Sequence, residues 1–396
     1  MMNYKNYLIG LILLISNYSS SAVAQNFIWA KNACATNNST IYSNSMAVDN
    51  SGNVYTIGRV SGTCDFDPSA NTFNLTGSLT TNDMYIQKLD SNGNLLWAKL
   101  IVGTFPYSAS NLVKTDNSGN IYVTGSFGQT VDFDPGPAVH NITPQGYEIF
   151  ILKLDSLGDF IWVKTIAGTS TGALKIDALV VDANNNLILG GPYTDIVDFD
   201  PNSGISNLSS LSIYSGYILK LTSTGNFVWV KSFNSNYSVR IIGMDVDATN
   251  NIYCSGTFSG TLDLDPDTAT NNVSSALNTS NGYIVKLDSN GSHIFGESFG
   301  GTGNIFFATL DLDNNNNVII GGTFKNFTDF DPSNADYNLY GPNSFFDVYL
   351  LKLSNTGTFI WAKQIQGYDD VELNGVDIDT TGSIYATGFF KSPTDF

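Results

Sequence analysis

The stretch DNSGNIYVTGSFGQTVDFDP, which runs from Asp116 to Pro135, decides the fold because it recurs along the chain. Its first half follows the pattern D-x-x-x-N-x-(Y/I)-x-x-G, with Ser383 in the Asn position of the last copy. The leading Asp returns every 65 to 67 residues, at Asp49, Asp116, Asp182, Asp247, Asp313 and Asp379. A fixed period of this size indicates one supersecondary unit that must stack on its neighbours to bury its apolar faces.

Each repeat contains four short apolar runs separated by turn-forming residues. In the second repeat the predicted strands are residues 111–115, 120–127, 148–154 and 160–166. These runs are rich in Val, Ile, Tyr, Phe and Trp, and they are too short for helices. Ser-Gly and Asn-Gly turns supply the positive backbone dihedrals that tight hairpins need. The pattern predicts an all-β fold, a β-propeller of four-stranded antiparallel blades.

The D-F-D-P segment opens the connection between the second and third strands, which is the longest in each repeat. It begins at Asp65, Asp132, Asp198, Asp263 and Asp329, with Leu264 in place of Phe in the fourth copy. Strands alternate in direction, so residues 65–83 and their counterparts all leave from one end of the blades, here called the long-loop face. Because connecting loops carry most binding sites, this face is the predicted recognition surface.

The two ends of the repeat region, residues 25–396, predict how the propeller closes. Phe27 to Lys31 matches the fourth-strand phrase found at Leu96 to Lys99, and the last copy supplies inner strands at Val376 to Asp379 and Ile384 to Phe389. We expect five complete blades plus one composite closing blade without its third strand. That makes six blades, or more in a longer parent chain, and the repeat region is expected to be C-terminally incomplete.

The phrases GNxYxTG, DFDP and KLDxxGNxxWAK resemble the SBBP-type β-propeller repeat of secreted and surface-attached bacterial proteins, especially in the Bacteroidetes. The resemblance covers residues 27–396, and the chain is more distantly similar to NHL repeats. It implies a secreted propeller, although a fold of this kind serves many functions.

Residues 1–24 are predicted to be a signal peptide that is cleaved after Ala24. Lys5 provides the positive start, Tyr7 to Ile15 the apolar run, and Ala22-Val23-Ala24 the small residues before the cut. The apolar run is too short to span a bilayer, and no later stretch qualifies. We therefore expect a secreted or cell-surface protein without a transmembrane segment.

Net charge and cysteine content limit which binding partners and which cellular compartment are expected. The net charge is −18, which excludes nucleic acid as a partner and favours cations, basic partners or simple solubility. Cys254 occupies an apolar strand position and is expected to be a buried free thiol. Cys34 and Cys64 fall near each other on the long-loop face, and whether they form a disulfide is left open.

Two sets of aspartates are candidates for calcium binding, since calcium prefers several hard oxygen ligands. The first set is the D-x-D-x-D run Asp263, Asp265 and Asp267. The alternative interpretation of D-F-D-P is structural, with Asp capping a turn, Phe wedged between blades and Pro ending the strand. The second set is Asp245, Asp311 and Asp377, on the innermost strands of consecutive repeats, where the alternative is a hydrated channel without ligand.

The sequence favours a non-enzymatic extracellular binding, adhesion or scaffold module that uses its long-loop face. No cofactor is required, and the partner is an unknown protein or glycan. The repeats are regular, and His140 and His293 are the only histidines, which leaves little material for a catalytic site. The alternative is a propeller hydrolase or lyase that acts on extracellular glycans or peptides. We expect the protein to be a monomer.

Overall fold

The computed structural model describes residues 29–32, 34, 39–80, 82–105, 111–168, 173–333, 335–367, 369–391 and 394–395. Within these ranges the regular structure is entirely β-sheet, without helices. The chain divides into two compact units, an N-terminal unit of Val23–Ser232 and a C-terminal unit that comprises Phe233–Phe396. The predicted signal peptide lies outside the described residues.

The N-terminal unit contains three four-stranded blades. Its strands are β1 (Thr40–Val48), β2 (Val54–Asp65), β3 (Asn74–Gly77), β4 (Asp83–Leu89), β5 (Leu95–Gly103), β6 (Leu112–Thr115), β7 (Ile121–Phe127), β8 (Val131–Asp132), β9 (Asn141–Ile142), β10 (Glu148–Leu154), β11 (Phe160–Ala167), β12 (Ala178–Val181), β13 (Leu187–Tyr193), β14 (Ile196–Asp198), β15 (Asn207–Ser209), β16 (Ser215–Leu221) and β17 (Phe227–Phe233). The blades are β1-β2-β4-β5, β6-β7-β10-β11 and β12-β13-β16-β17.

The C-terminal unit contains two further four-stranded blades and three two-stranded sheets. Its strands are β18 (Ser238–Val246), β19 (Ile252–Ser259), β20 (Thr261–Asp263), β21 (Asn272–Ser274), β22 (Asn281–Leu287), β23 (His293–Phe299), β24 (Asn304–Leu312), β25 (Val318–Lys325), β26 (Phe327–Asp329), β27 (Asn338–Tyr340), β28 (Asp347–Leu353), β29 (Phe359–Gly367), β30 (Val371–Ile378), β31 (Ile384–Phe390) and β32 (Thr394–Asp395). The blades are β18-β19-β22-β23 and β24-β25-β28-β29, and the two-stranded sheets are β20-β21, β26-β27 and β30-β31.

The predicted blade architecture is confirmed. In the second repeat every strand begins and ends within one residue of its predicted position. Five complete blades are present, and the last copy provides its two inner strands as β30 and β31. Phe27 and Ile28 lie outside the described residues, and Trp29 to Lys31 do not form a strand. Pairing of this segment in a composite closing blade therefore stays a prediction.

The core of each blade is built on its second and third strands. All residues of β10, and all of β7 except the half-buried Ser126, are buried, and the two strands pair in antiparallel register. Phe150 lies opposite Gly125, where an added Cβ would stand 2.8 Å from the phenyl ring. The glycine is therefore needed so that the aromatic ring can lie flat on the neighbouring strand.

The long connections, which link the second and third strands within a blade, also contact the preceding blade. β8, at the start of the second long connection, pairs with the outer strand β5 of the preceding blade, through Val102 and Asp132. In the C-terminal unit, Gly300 and Asp329 make the equivalent bridge. The start of each of these connections is thus tied to the outer strand of the preceding blade.

Cys34 and Cys64 form a disulfide, which decides the question that the sequence leaves open. The Cα atoms are 4.4 Å apart because the amide of Cys34 donates to the carbonyl of Asp65, at 2.9 Å. Cys254 is a buried free cysteine, as predicted, and burial raises the pKa of its thiol to about 12.

Removing this disulfide is expected to lower the free energy of unfolding by about 2–4 kcal/mol, because the cross-link restricts the unfolded chain. The variant Cys34→Ala/Cys64→Ala is compared with the parent protein in urea melts, with and without dithiothreitol. Dithiothreitol should destabilise the parent and leave the double variant unchanged. A parent protein indifferent to the reductant would contradict the prediction.

Candidate functional site

In every complete repeat, the first Asp of the D-F-D-P segment accepts hydrogen bonds from two backbone amides of its own long connection. One oxygen of Asp132 accepts the amides of Asp134 and His140, at 3.2 and 2.7 Å. The same two bonds, to the residues two and eight positions later, are made by Asp65, Asp198, Asp263 and Asp329. These carboxylates therefore cap a turn in each repeat.

The remaining residues of the segment are also structural. Asp134 accepts the amide of Gly136 at 2.7 Å, and its counterparts in the other repeats make the same bond. The residue between the two aspartates is fully buried in all five copies: Phe66, Phe133, Phe199, Leu264 and Phe330. Phe133 packs on Phe150 of the third strand, with ring centroids 5.0 Å apart. These contacts agree with the structural interpretation of D-F-D-P, in which the Asp caps a turn and the Phe is buried.

Asp263, Asp265 and Asp267, the first candidate calcium site, follow this pattern with one addition. Asp267 accepts the amide of His293 at 3.2 Å, and His293 Nδ1 lies 3.6 Å from Asp265 Oδ2. The proximity of His293 was not foreseen, since it comes from the next hairpin. Over the ranges that the structure describes, no three His, Cys, Asp or Glu side chains are grouped to hold a metal. Calcium at this loop stays a prediction.

We expect calcium to leave the melting temperature unchanged relative to EDTA, because amide donors already engage Asp263, Asp265 and Asp267. Ligand binding to the native state alone would add about 2.7 kcal/mol at a hundredfold excess over Kd. A rise of that size, abolished by Asp263→Asn/Asp265→Asn/Asp267→Asn, would place calcium at this loop.

In the second candidate set Asp311 interacts with both other members, although no three such side chains among the described residues are grouped to hold a metal. Asp245, Asp311 and Asp377 lie on β18, β24 and β30, the first strands of consecutive repeats in the C-terminal unit. Asp311 Oδ2 accepts the amide of Ile378 at 2.6 Å and so links β24 to β30. Burial, the charge of Asp245 and a hydrogen bond with Asp377 raise the pKa of Asp311 to about 8. The protonated form of Asp311 is therefore favoured near neutral pH.

The stability of the protein is expected to fall as pH rises from about 4 to 8, because Asp311 holds a proton in the folded state that the unfolded state has lost. Asp311→Asn should remove this slope and raise the free energy of unfolding at pH 8.5. The expected gain in the free energy of unfolding is about 1–2 kcal/mol. This is less than the whole pKa shift would give, because solvent screens a partly exposed carboxyl group. Urea melts at several pH values measure it, with Asp336→Asn, at an exposed aspartate of the fifth long connection, as control. An unchanged slope in Asp311→Asn would contradict the assignment.

Exposed apolar side chains concentrate on the long-loop face. The sequence analysis considered the aspartates of this face and did not predict these apolar residues. Each of the five long connections carries at least one large, solvent-exposed hydrophobic or aromatic residue. They are Phe73, Leu79, Val139, Tyr147, Ile205, Leu211, Ile213, Tyr214, Leu277, Tyr337, Tyr340 and Phe345. Exposed apolar groups on these loops indicate a surface for binding. The D-F-D-P aspartates of this face instead stabilise the turns of the long connections.

At the opposite ends of the blades, a repeated ion pair links the strands. The leading Asp of each complete repeat faces a Lys of the third strand, with Nζ to Oδ2 distances from 2.7 to 4.0 Å. Lys88 and Trp97 also donate to the carbonyl of Ser156, in the following repeat. Asp and Lys recur at these positions in every complete repeat, so the sequence contained a signal for the ion pair, but the ion pair was not predicted from it.

The comparisons with known proteins agree with this architecture. Residues 34–61 match the family model SBBP, which is described as a β-propeller repeat. The chain is a β-propeller repeat protein. It is also 26% identical over 330 residues to an uncharacterized WD repeat-containing protein of Acanthamoeba polyphaga mimivirus. That match covers 70% of this chain and 24% of the relative, so the chain spans about a quarter of the relative's length. None of the described segments of this propeller is a helix long and apolar enough to cross a membrane.

Proposed function

We propose that this protein is a non-enzymatic binding or scaffold module that acts outside the cell or at its surface through the long-loop face. The observation that carries the proposal is the recurrence of exposed apolar side chains on all five long connections. Covering such groups with a partner contributes about 25 cal/mol per Å² of apolar area removed from water. The same surface recurs in each repeat, which suits a partner that is itself extended or repetitive.

The chemistry of the exposed residues favours a protein or glycan partner. Tyr147 and Tyr340 are exposed on the second and fifth connections, and Leu211 and Tyr214 are exposed on the third. Tyrosine combines a large apolar ring with a hydroxyl that forms hydrogen bonds, so it is enriched where binding energy concentrates. The net charge of −18 further favours a neutral or basic partner.

The alternative of a hydrolase or lyase gains no support from the long connections. Glycoside hydrolysis uses two carboxyl groups that are free to act as acid and base or nucleophile. The D-F-D-P carboxylates accept backbone amides in the same way in all five copies. They are therefore assigned to the scaffold, and the proposed role rests on the apolar residues.

The proposal is tested by screening the fluorescently labelled protein on an array of immobilised polysaccharides and extracellular proteins. The variant Leu79→Ser/Ile205→Ser/Leu211→Ser removes three side chains that are 76%, 80% and 77% exposed on the N-terminal unit. We expect it to bind any array hit at least tenfold more weakly than the parent protein, with an unchanged melting temperature, because exposed positions contribute little to stability.

The matched control is Leu157→Ser, which removes an exposed leucine from a tight turn at the opposite end of the blades. It should bind every array hit as the parent protein does. Equal binding by the triple variant, or an equal loss in the Leu157→Ser control, would contradict the assignment of the long-loop face.

Export is a separate part of the proposal and rests on residues 1–24. The mature protein is expected to begin at Gln25, which mass spectrometry of the N-terminal peptide from the culture medium or the cell surface would detect. Replacing Leu11 and Leu14 with Asp should retain the uncleaved precursor inside the cell, because an export signal requires its apolar run. Secretion of that variant at the parent level would contradict the proposal that residues 1–24 are an export signal.

A further inference from the structure

Each long connection begins with a short antiparallel hairpin, and the exposed side-chain pair of that hairpin differs in the fifth repeat. In the first, second and fourth repeats the pair consists of two hydroxyl residues whose oxygens lie 2.8–2.9 Å apart: Thr63 and Thr76, Thr130 and Thr143, Thr261 and Ser274. In the third repeat Ile196 lies opposite Ser209, and in the fifth Phe327 lies opposite Tyr340. The fifth hairpin therefore carries two aromatic rings where three others carry hydroxyl groups.

The buried side of the same hairpin differs in the opposite sense. The residue before the D-F-D-P motif is almost completely buried in all five repeats: Cys64, Val131, Val197, Leu262 and Thr328. Thr328 brings a hydroxyl group to this position, and among the described residues its Oγ1 has no hydrogen-bond partner. A buried hydroxyl group without a partner and an exposed aromatic ring both cost free energy. The inverted pattern therefore indicates that the outer rings serve recognition and not the stability of the fold.

Phe327 and Tyr340 form a defined aromatic surface. Their ring centroids are 5.3 Å apart and their planes are inclined at 67°, an edge-to-face arrangement that leaves ring faces uncovered. Tyr340 is 67% exposed. The matching pairs of the complete second and fourth repeats are exposed as well, so exposure belongs to this position of the repeat. The aromatic surface is thus accessible to a ligand.

A hydrogen-bond acceptor without a donor lies beside the rings. Asn338 comes two residues before Tyr340 on β27 and so lies on the same face of the hairpin. Its Oδ1 is buried and accepts no hydrogen bond within the described part of the chain. The asparagines at this position in the other repeats are exposed: Asn74, Asn141, Asn207 and Asn272. A buried acceptor of this kind favours a ligand that supplies a hydroxyl donor.

Charge and size define the ligand further. Residues 326–344 contain Asp329, Asp331 and Asp336 but neither lysine nor arginine, so an anionic ligand is disfavoured. Burying one aromatic side chain removes about 150–250 Å² from water, so two partly exposed rings fall short of the ~800 Å² that each partner of a stable protein complex buries. A neutral sugar ring meets both conditions. Its C–H groups pack on the negative face of an aromatic ring, and its hydroxyl groups donate to free acceptors.

We propose that the Phe327–Tyr340 pair is a binding site for a neutral sugar unit of a polysaccharide, stacked on the aromatic surface. This inference rests on the proposed function, because the hairpin belongs to the long-loop face, and it names one ligand class and one site within that face. The hairpins of the other four complete repeats lack the aromatic pair, so each chain carries one such site.

The test is saturation-transfer difference NMR of the full chain with short oligosaccharides, which detects weak binding. The neutral probes are cellotetraose, mannotetraose, xylotetraose and maltotetraose, and the anionic probe is tetragalacturonate. We expect saturable binding of at least one neutral probe and no binding of tetragalacturonate. Absence of binding by every neutral probe, or binding of tetragalacturonate alone, would overturn the proposal.

Two variants locate the sugar site. Phe327→Thr/Tyr340→Thr installs the hydroxyl pair of the second repeat, so it should keep the melting temperature and raise the Kd for the neutral tetrasaccharide at least tenfold. Ile196→Thr is the matched control, since it replaces an exposed apolar side chain at the same position of the third repeat. It should bind the tetrasaccharide as the parent does. Equal affinity of Phe327→Thr/Tyr340→Thr and the parent would overturn the proposal, and so would an equal loss in Ile196→Thr.

The result can be separated from that of the proposed function. Leu79→Ser/Ile205→Ser/Leu211→Ser leaves the fifth hairpin intact, so it should bind the tetrasaccharide as the parent does, even though its binding to longer partners on the array is weakened. If this triple variant loses array binding and no neutral tetrasaccharide binds the parent, the sugar site is overturned and the proposed function stands. If Phe327→Thr/Tyr340→Thr loses the tetrasaccharide while the triple variant keeps its array binding, the sugar site stands and the role of the other exposed residues is contradicted.

Discussion

Replacing Lys220 with methionine is expected to lower the free energy of unfolding by about 3–5 kcal/mol, because it leaves a buried carboxylate without its counter-charge. Lys220 Nζ lies 3.0 Å from Asp182 Oδ2, and both side chains are almost fully buried. The loss is measured by urea unfolding at pH 7. Salt should change it little, since buried pairs are weakly screened.

Two controls isolate the buried pair. Asp182→Asn/Lys220→Met removes both charges and keeps the oxygen that accepts the turn amides, so it should recover at least half of the loss. Lys99→Met breaks the ion pair with Asp159, whose side chain is 63% exposed, and should cost less than about 1 kcal/mol. A Lys220→Met variant that is as stable as Lys99→Met would show that the buried pair does not hold the blade together.

Replacing Phe199 with alanine is expected to cost about 3–5 kcal/mol, because the ring is fully buried and no neighbour can fill the cavity. The ring lies 4.6 Å from that of Tyr217 and 5.5 Å from that of Tyr193, measured between centroids. Thermal and urea melts measure the loss.

Ile205→Ser is the matched control for Phe199→Ala because it lies on the same connection with its side chain in solvent. It should change the free energy of unfolding by less than about 0.5 kcal/mol. A Phe199→Ala variant that binds array hits more weakly at unchanged stability would contradict the scaffold role of D-F-D-P, since that pattern belongs to a binding residue.

The blades follow from the sequence by itself. Alternating apolar runs and Gly-containing turns are local signals, and six phased copies repeat them, so chance matches are suppressed. This is why β6, β7, β10 and β11 were predicted to within one residue. The burial of Cys254 follows for the same reason, since its repeat position is held by apolar residues in other copies.

Tertiary structure decided the roles of the polar residues. An aspartate that caps a turn and one that binds calcium have the same residue type and spacing, and they differ only in whether backbone amides point at the carboxylate. At Asp132 and its counterparts those amides are present. The raised pKa of Asp311 likewise depends on how closely its strand approaches the strands that carry Asp245 and Asp377.

The disulfide and the binding surface also required tertiary contacts. Cys34 and Cys64 are 30 residues apart in sequence, and their pairing depends on a backbone bond between the segments that carry them. Leu79 and Ile205 look like ordinary apolar residues in the sequence, and only the folded structure shows that they are exposed to solvent. Local patterns determine strands and turns, whereas exposure and pairing depend on residues distant in the chain.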